Sequence, residues 1–259
     1  MPDHILVSRD GPITTVTLNR PDKFNALTFE MYEQLREICS TVPSDGSVRA
    51  MIITGAGGRA FAAGTDISLF RDFKTPEQGI AYEKSGDATF SALETCPVPI
   101  IAAIAGACTG GGAGIAACCD IRLATRDMKY GFPIARTLGN VLSAATLSRL
   151  VHRLGEARVA EMIYTTRLIE AEEAHRIGFV SELLDSHEAL MQRARTLAGQ
   201  IAGLAPLTIM ATKTLLRRIR EAAPKVQDED LIAKIYTSAD FREGLDAFLT
   251  KRKPSWSGR

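Results

Sequence analysis

Residues 98–120, VPIIAAIAGACTGGGAGIAACCD, constrain the fold more than any other stretch of the chain. A β-branched apolar run opens into three consecutive glycines, Gly110 to Gly112, and then into an alanine-rich segment. That order reads as a buried strand, a turn stripped of side chains and a buried helix. The first N–H groups of such a helix have no intrahelical acceptor and carry the positive end of its dipole, so the bare backbone is a natural anion site. The competing reading of the same glycines is close helix packing.

Other glycine motifs fit less well. Gly112, Gly114 and Ala117 satisfy a loose G-x-G-x-x-A pattern, but in mid-chain, and Asp127 follows too soon to be the ribose-binding acid expected about 20 residues on. A phosphate loop requires Lys and Ser or Thr after its last glycine, where Ala113 and Gly114 stand. Residues 95–119 lack charge, and about 20 apolar residues suffice to cross a bilayer. The segment is nevertheless mostly Ala and Gly, contains Pro97 and Pro99, lacks aromatic or basic anchors and runs into Asp120 and Arg122, so no membrane span is expected.

The 259 residues, 46% hydrophobic and 24% charged, match a soluble globular enzyme with a large core. A net charge of +1 gives no reason to expect nucleic acid or an anionic membrane as partner. Cys39, Cys96, Cys108, Cys118 and Cys119 are odd in number, sit in apolar contexts and form no C-x-x-C pair; they read as reduced core thiols of a cytoplasmic protein without a metal site. The opening MPDHILVSRD shows no secretory pattern.

Along the chain, Ile13, Val16 and Leu18 mark a strand, Arg20 to Lys23 a break, and Met31, Leu35 and Ile38 a helix over about 28–42. A strand at 51–54, a loop through 61–66, a helix over about 76–94 and strands at 100–104, 121–124 and 129–131 follow. Beyond residue 189 only helical periodicity remains, over 190–201, 206–221, 226–237 and 240–250, with Pro206 and Pro224 at plausible helix starts. We therefore divide the chain into an α/β core, residues 1–189, and a helical tail, residues 190–259, whose amphipathic faces must dock on the core or on another subunit.

The glycine run, FAAGTDI at 61–67, LNRPDKFNAL at 18–27 and DFREGLDAFLTKRKPSW at 240–256 together resemble the crotonase, or enoyl-CoA hydratase/isomerase, superfamily, in the family's order and over nearly the whole chain. The resemblance implies a right-handed spiral of repeated ββα units with a C-terminal helical trimerisation region, giving a homotrimer or a dimer of trimers. It implies an acyl-CoA substrate, with coenzyme A entering as part of that substrate and no permanently bound cofactor. Two backbone N–H groups would form an oxyanion hole, here on Thr65 and Gly111. Substrate-binding positions fall on Lys23, Phe24 and Ala26, on Ala63, Asp66 and Ile67, on Gly110, and in the tail on Tyr236, Phe248 and Lys251. The basic run 251–253 reads equally as a solvated tail, and Lys213, Arg217, Arg218 and Arg220 read as a solvated helix face.

One departure limits the functional reading. Hydratases of the family use two glutamates, and their positions are taken here by Gly114 and by Ile134 or its neighbour Ala135. Isomerases that keep only the second acid fare no better. The aspartates of dienoyl-CoA isomerases have no counterpart at Gly114, Ile134 or Leu142, and the dehalogenase nucleophile would fall near Val141. Substitutes are sought among Asp72, Glu83 and Asp87, each otherwise a surface carboxylate, and among Arg136 and Asn140. Glu83 is the candidate acid or base and Asn140 a second polar candidate. The expectation is an enzyme that stabilises a thioester enolate without the usual glutamates; the alternative is a CoA-binding homologue with little turnover, acting as a regulator or subunit. A Ser-His-Asp hydrolase finds no support, because no G-x-S-x-G occurs and His4, His152, His175 and His187 lie in helical or terminal contexts.

Overall fold

The computed structural model describes residues 3–222 and 227–258. A hairpin of β1 (Ile5–Asp10) and β2 (Ile13–Leu18) turns at Gly11, and α1 (Phe29–Ser40) carries the chain across to β3 (Ala50–Gly55), parallel to β2. From there the chain repeats one move. β3 is followed by β4 (Ala60–Ala62) and α2 (Pro76–Thr95), β5 (Ile100–Ile104) by β6 (Ala107–Thr109) and α3 (Gly111–Cys118), and β7 (Ile121–Thr125) by β8 (Lys129–Gly131). The first strand of each pair joins a six-stranded sheet of order β1-β2-β3-β5-β7-β10, the second a four-stranded sheet of order β4-β6-β8-β9. The ββα spiral is thus present. Strand β3 is buried at every residue, as parallel strands covered on both faces must be.

Short helices α4 (Ile134–Thr137), α5 (Ala144–Leu154), α6 (Glu156–Tyr164) and α7 (Ala171–Arg176) surround β9 (Ile169–Glu170) and lead to β10 (Glu182–Leu184). The short strands β4, β6, β9 and β10 were not anticipated, nor was β1: two or three residues carry no readable alternation, and β1 exposes all but Ile5.

In the tail, α8 (His187–Ala202) packs Leu190, Met191, Ala194 and Ala198 on Ala50, Ile52, Ile101, Ala103 and Leu123, covering the outer face of the large sheet. Helices α10 (Glu229–Tyr236) and α11 (Ala239–Leu249) form a separate core around Phe70, Leu138, Tyr236 and Phe241, folded over α2. The expected helix over 226–237 begins at Glu229 among the described residues, and Pro224 and Val226 lie outside them. Helix α9 (Pro206–Glu221) buries none of its residues completely. Its basic residues divide: Lys213 bonds Asp120 at 2.8 Å and the carbonyls of Leu93 and Val98, and Arg220 bonds Glu94 at 2.6 Å, which corrects the expectation of a wholly solvated face. Arg218 remains exposed.

The turn between β2 and α1 is held by one side chain. Asn25, fully buried at φ +56°, accepts from Arg20 N and donates to the carbonyls of Ala56 and Ala60. Each partner orphaned inside the protein costs about 1–3 kcal/mol, so Asn25→Ala is expected to lower unfolding stability by about 3 kcal/mol in a urea titration. An unchanged midpoint would show that the turn is fixed by other contacts.

Candidate functional site

The loop 63–66 and the N-terminus of α3 leave the C-terminal ends of neighbouring parallel strands, β4 and β6, so their backbones meet. Gly64 has φ +104° and Gly110 φ +52°, and a Cβ on Gly110 would stand 3.2 Å from the Cα of Gly64. A Cβ on Gly64 would lie 3.9 Å from the nitrogen of Gly111. Gly112 presses on the carbonyl of Ala62, where a Cβ would approach to 2.4 Å. Close packing thus explains Gly112 and Gly114, which are buried, while Gly110 and Gly111 remain partly exposed.

Two N–H groups are left over at this contact. Leu27 donates to Gly64 and Asp66 donates to Leu27, each at 2.8 Å, so Thr65 lends its N–H to neither bond. Gly111 is the first residue of α3 and has no intrahelical acceptor. Among the described residues neither N–H has an acceptor. Both residues line a cleft of about 860 Å³.

The cleft also takes in Lys23, Phe24, Ala26, Ala63, Asp66, Ile67, Gly110, Phe248 and Lys251, so thirteen of the fourteen anticipated site residues, with Thr65, Gly111, Glu83 and Asn140, reach one cavity. The exception is Tyr236. It is 2% exposed and lies behind the wall, where its hydroxyl donates to Glu83 Oε1 at 2.6 Å. Asp66 is held by Arg20 at 3.0 Å and caps a 3-10 turn through Ser68, fastening the loop 63–66 to the turn of Asn25. Arg136 is exposed and outside the lining, Asp72 is exposed, and Asp87 is paired with Arg149 at 2.8 Å.

Glu83 is the carboxyl group that remains. It is 8% exposed on α2, accepts from the N–H of Ser143 at 3.1 Å as well as from Tyr236, and forms no ion pair among the described residues. Burial pushes its pKa up to about 7, although the Tyr236 and Ser143 hydrogen bonds favour the carboxylate. Asn140 donates to the Tyr236 hydroxyl at 3.4 Å, and its own Oδ1 is buried without a partner. Along the same helix, Gly79 lets Tyr236 approach, and Gly86 faces open cleft, with nothing within 4 Å of the point a Cβ would occupy. The Phe90 ring sits where a side chain at residue 114 would go, 2.3 Å from the place of that Cβ.

Two tyrosines were missed. Tyr32 and Tyr82 line the cleft, and their hydroxyls each lie 2.8 Å from Thr65 Oγ1. The signal available was weak: Tyr32 continues the apolar face of α1 beside Met31 and Leu35 and reads as core.

The chain matches the family model described as enoyl-CoA hydratase/isomerase over residues 8–259. It is 31% identical over 254 residues to a short-chain-enoyl-CoA hydratase of Clostridium acetobutylicum, covering 97% of this chain and 96% of that one. A crystal structure of an enoyl-CoA hydratase/carnithine racemase from Magnetospirillum magneticum superposes with TM-score 0.80 at 35% identity, covering 100% and 97% of the two chains. A methylmalonyl-CoA decarboxylase in complex with 2-nitronate-propionyl-CoA superposes with TM-score 0.88 at 26% identity, covering 99% of each. The chain belongs to the enoyl-CoA hydratase/isomerase, or crotonase, superfamily of enzymes.

Because the folded-state pKa of Glu83 is raised, its protonated form is favoured by folding, and that contribution is present below about pH 4.5 and lost as pH rises through about 7. Glu83→Gln removes the buried charge. Its melting temperature relative to wild type is expected to climb between pH 5 and pH 8, and a difference independent of pH would place the carboxyl's titration elsewhere.

Proposed function

We propose that the cleft binds an acyl-CoA thioester and stabilises its enolate, with the N–H groups of Thr65 and Gly111 as oxyanion hole and Glu83 as the group that takes or returns the proton. The observation that carries this reading is their convergence: two acceptor-free N–H groups from touching backbones and one buried carboxyl titrating at about 7 share a single cavity. Preorganised donors facing developing negative charge are worth roughly 3–4 kcal/mol each. A carboxyl group whose pKa lies near the working pH is suited to proton transfer. The relatives support the substrate class, since the three named above are all named for CoA thioester chemistry.

At the cleft mouth, Lys23 and Lys251 bring positive charge and Phe24 and Phe248 half-exposed aromatic faces, a composition suited to the phosphates and adenine of coenzyme A. Coenzyme A enters with the substrate, and nothing in the reading calls for a resident cofactor. Arg252, by contrast, is engaged by Glu243 at 2.6 Å and by Asp246. Hydration through paired glutamates is not the reaction we propose, because Gly114 and Ile134 carry no acid and Phe90 fills the space beside Gly114.

A steady-state panel of acyl-CoAs tests this. We expect at least one to be turned over with kcat/KM changing through pH 7, crotonyl-CoA to be hydrated slowly, and Glu83→Gln to lower kcat by about 10²- to 10⁴-fold. Introducing glutamates at 114 and 134 is expected to raise crotonyl-CoA hydration only when Phe90→Ala makes room. Absence of calorimetric binding for every acyl-CoA overturns the proposal; binding without turnover makes the chain a CoA-responsive subunit.

We also propose a trimer, alone or paired. Leu207, Leu216 and Ile219 of α9 are 73%, 60% and 71% exposed, more apolar surface on one helix than a monomer needs. Light scattering is expected to return three or six protomers, and a concentration-independent monomer would count against it.

A further inference from the structure

The three hydroxyls of Tyr32, Thr65 and Tyr82 pose a counting problem. They form a chain, Tyr32 to Thr65 to Tyr82, with both links at 2.8 Å. Three protons serve two hydrogen bonds, so one O–H is left without an acceptor among the described residues. An unplaced donor in a nearly buried setting is costly unless something arrives to accept from it. Tyr32 is 4% exposed yet lines the cleft.

Its position says what arrives. A Cβ built on Gly111 would stand 1.8 Å from the Tyr32 hydroxyl oxygen. In a residue with helical φ the Cα–Cβ and N–H bonds project to the same side of the N–Cα bond, and Gly111 opens α3. The hydroxyl therefore sits beside the acceptor-free N–H of Gly111 without bonding to it, and on its other side it is tied to the residue whose N–H is the second free donor.

We infer that Tyr32 is a third donor to the oxyanion hole, its O–H completing with the N–H groups of Thr65 and Gly111 a three-pronged site for the thioester oxygen. The inference rests on the acyl-CoA reading above. When an oxygen bearing negative charge docks, the proton order Tyr82 to Thr65 to Tyr32 is selected, because it turns the spare O–H onto that oxygen and leaves both internal bonds intact. Burial holds the Tyr32 phenol at a pKa of about 12, so it remains a neutral donor across the working range. The arrangement also gives Thr65 a reason to be threonine: its N–H serves the hole as any residue's would, while its hydroxyl aims the tyrosine. No bond is made or broken in this role.

The test reads the carbonyl itself. Acetyl-CoA labelled with carbon-13 at the thioester carbonyl is expected to shift downfield on binding to the wild-type protein, as polarisation withdraws electron density. Tyr32→Phe is expected to bind with less than tenfold change in Kd, to lose a large part of that displacement, and to lower kcat/KM by about 100-fold for whichever acyl-CoA of the panel is turned over. Fluorotyrosine placed at position 32, a stronger donor of nearly the same shape, is expected to push the resonance further downfield, a response that a merely structural tyrosine would not give. It also decides the matter if the phenylalanine variant fails to fold. A displacement indifferent to both changes overturns this inference alone; failure of the wild-type protein to bind any acyl-CoA overturns the acyl-CoA reading and this inference with it.

Discussion

The site depends on one contact, the meeting of the Gly64 and Gly110 backbones with no side chain between them. It fixes how closely the ends of β4 and β6 approach, and so how far apart the N–H groups of Thr65 and Gly111 stand. Gly112, pressed on the Ala62 carbonyl, repeats the constraint one step further along α3. On the opposite side Leu27 bridges to Thr65, and Arg20 reaches from the Asn25 turn to Asp66, so the loop is clamped from both faces. Interiors packed at this density do not yield by a methyl group without moving their neighbours.

Charge is distributed around that contact unevenly. Asp66 has Arg20, Asp87 has Arg149, and Glu94 has both Arg149 and Arg220, whereas Glu83, on the same helix as the last two, has among the described residues only the Tyr236 hydroxyl and the Ser143 N–H. The paired carboxylates hold elements together, whereas burial pushes the pKa of the one without a cation up to about 7. Along α2, then, the arginines decide which carboxylates are ion-paired and which one is left buried without a cation. The rings of Phe70, Tyr82, Tyr236 and Phe241 pack on one another beside it, and Tyr236 carries the hydroxyl that reaches Glu83.

Much of the fold was legible because its signals are local. The 100–104 strand falls where the apolar run placed it, and the 206–221 helix where periodicity and Pro206 did. The small sheet was not, since strands as short as Ala60–Ala62 owe their existence to neighbours distant in sequence. At the site, backbone positions could be carried over by motif, but the hydroxyls of Tyr32 and Tyr82 meet Thr65 only through the packing of α1 against α2. Tyr236 illustrates the same gap: as a tail position it was expected among the substrate-binding residues, and tertiary packing places its hydroxyl on Glu83, behind the wall of the cleft.

Gly86 sits inside the 20-residue helix α2, with open cleft where its side chain would be. A glycine in a helix interior costs about 0.5–1 kcal/mol relative to alanine, and here no packing partner requires it. Thermostabilisation by helix propensity would target this position first, and every carbon added there would come out of the room left for the ligand. Robustness and capacity are thus opposed at a single residue, and the chain has settled on the weaker helix and the wider cleft.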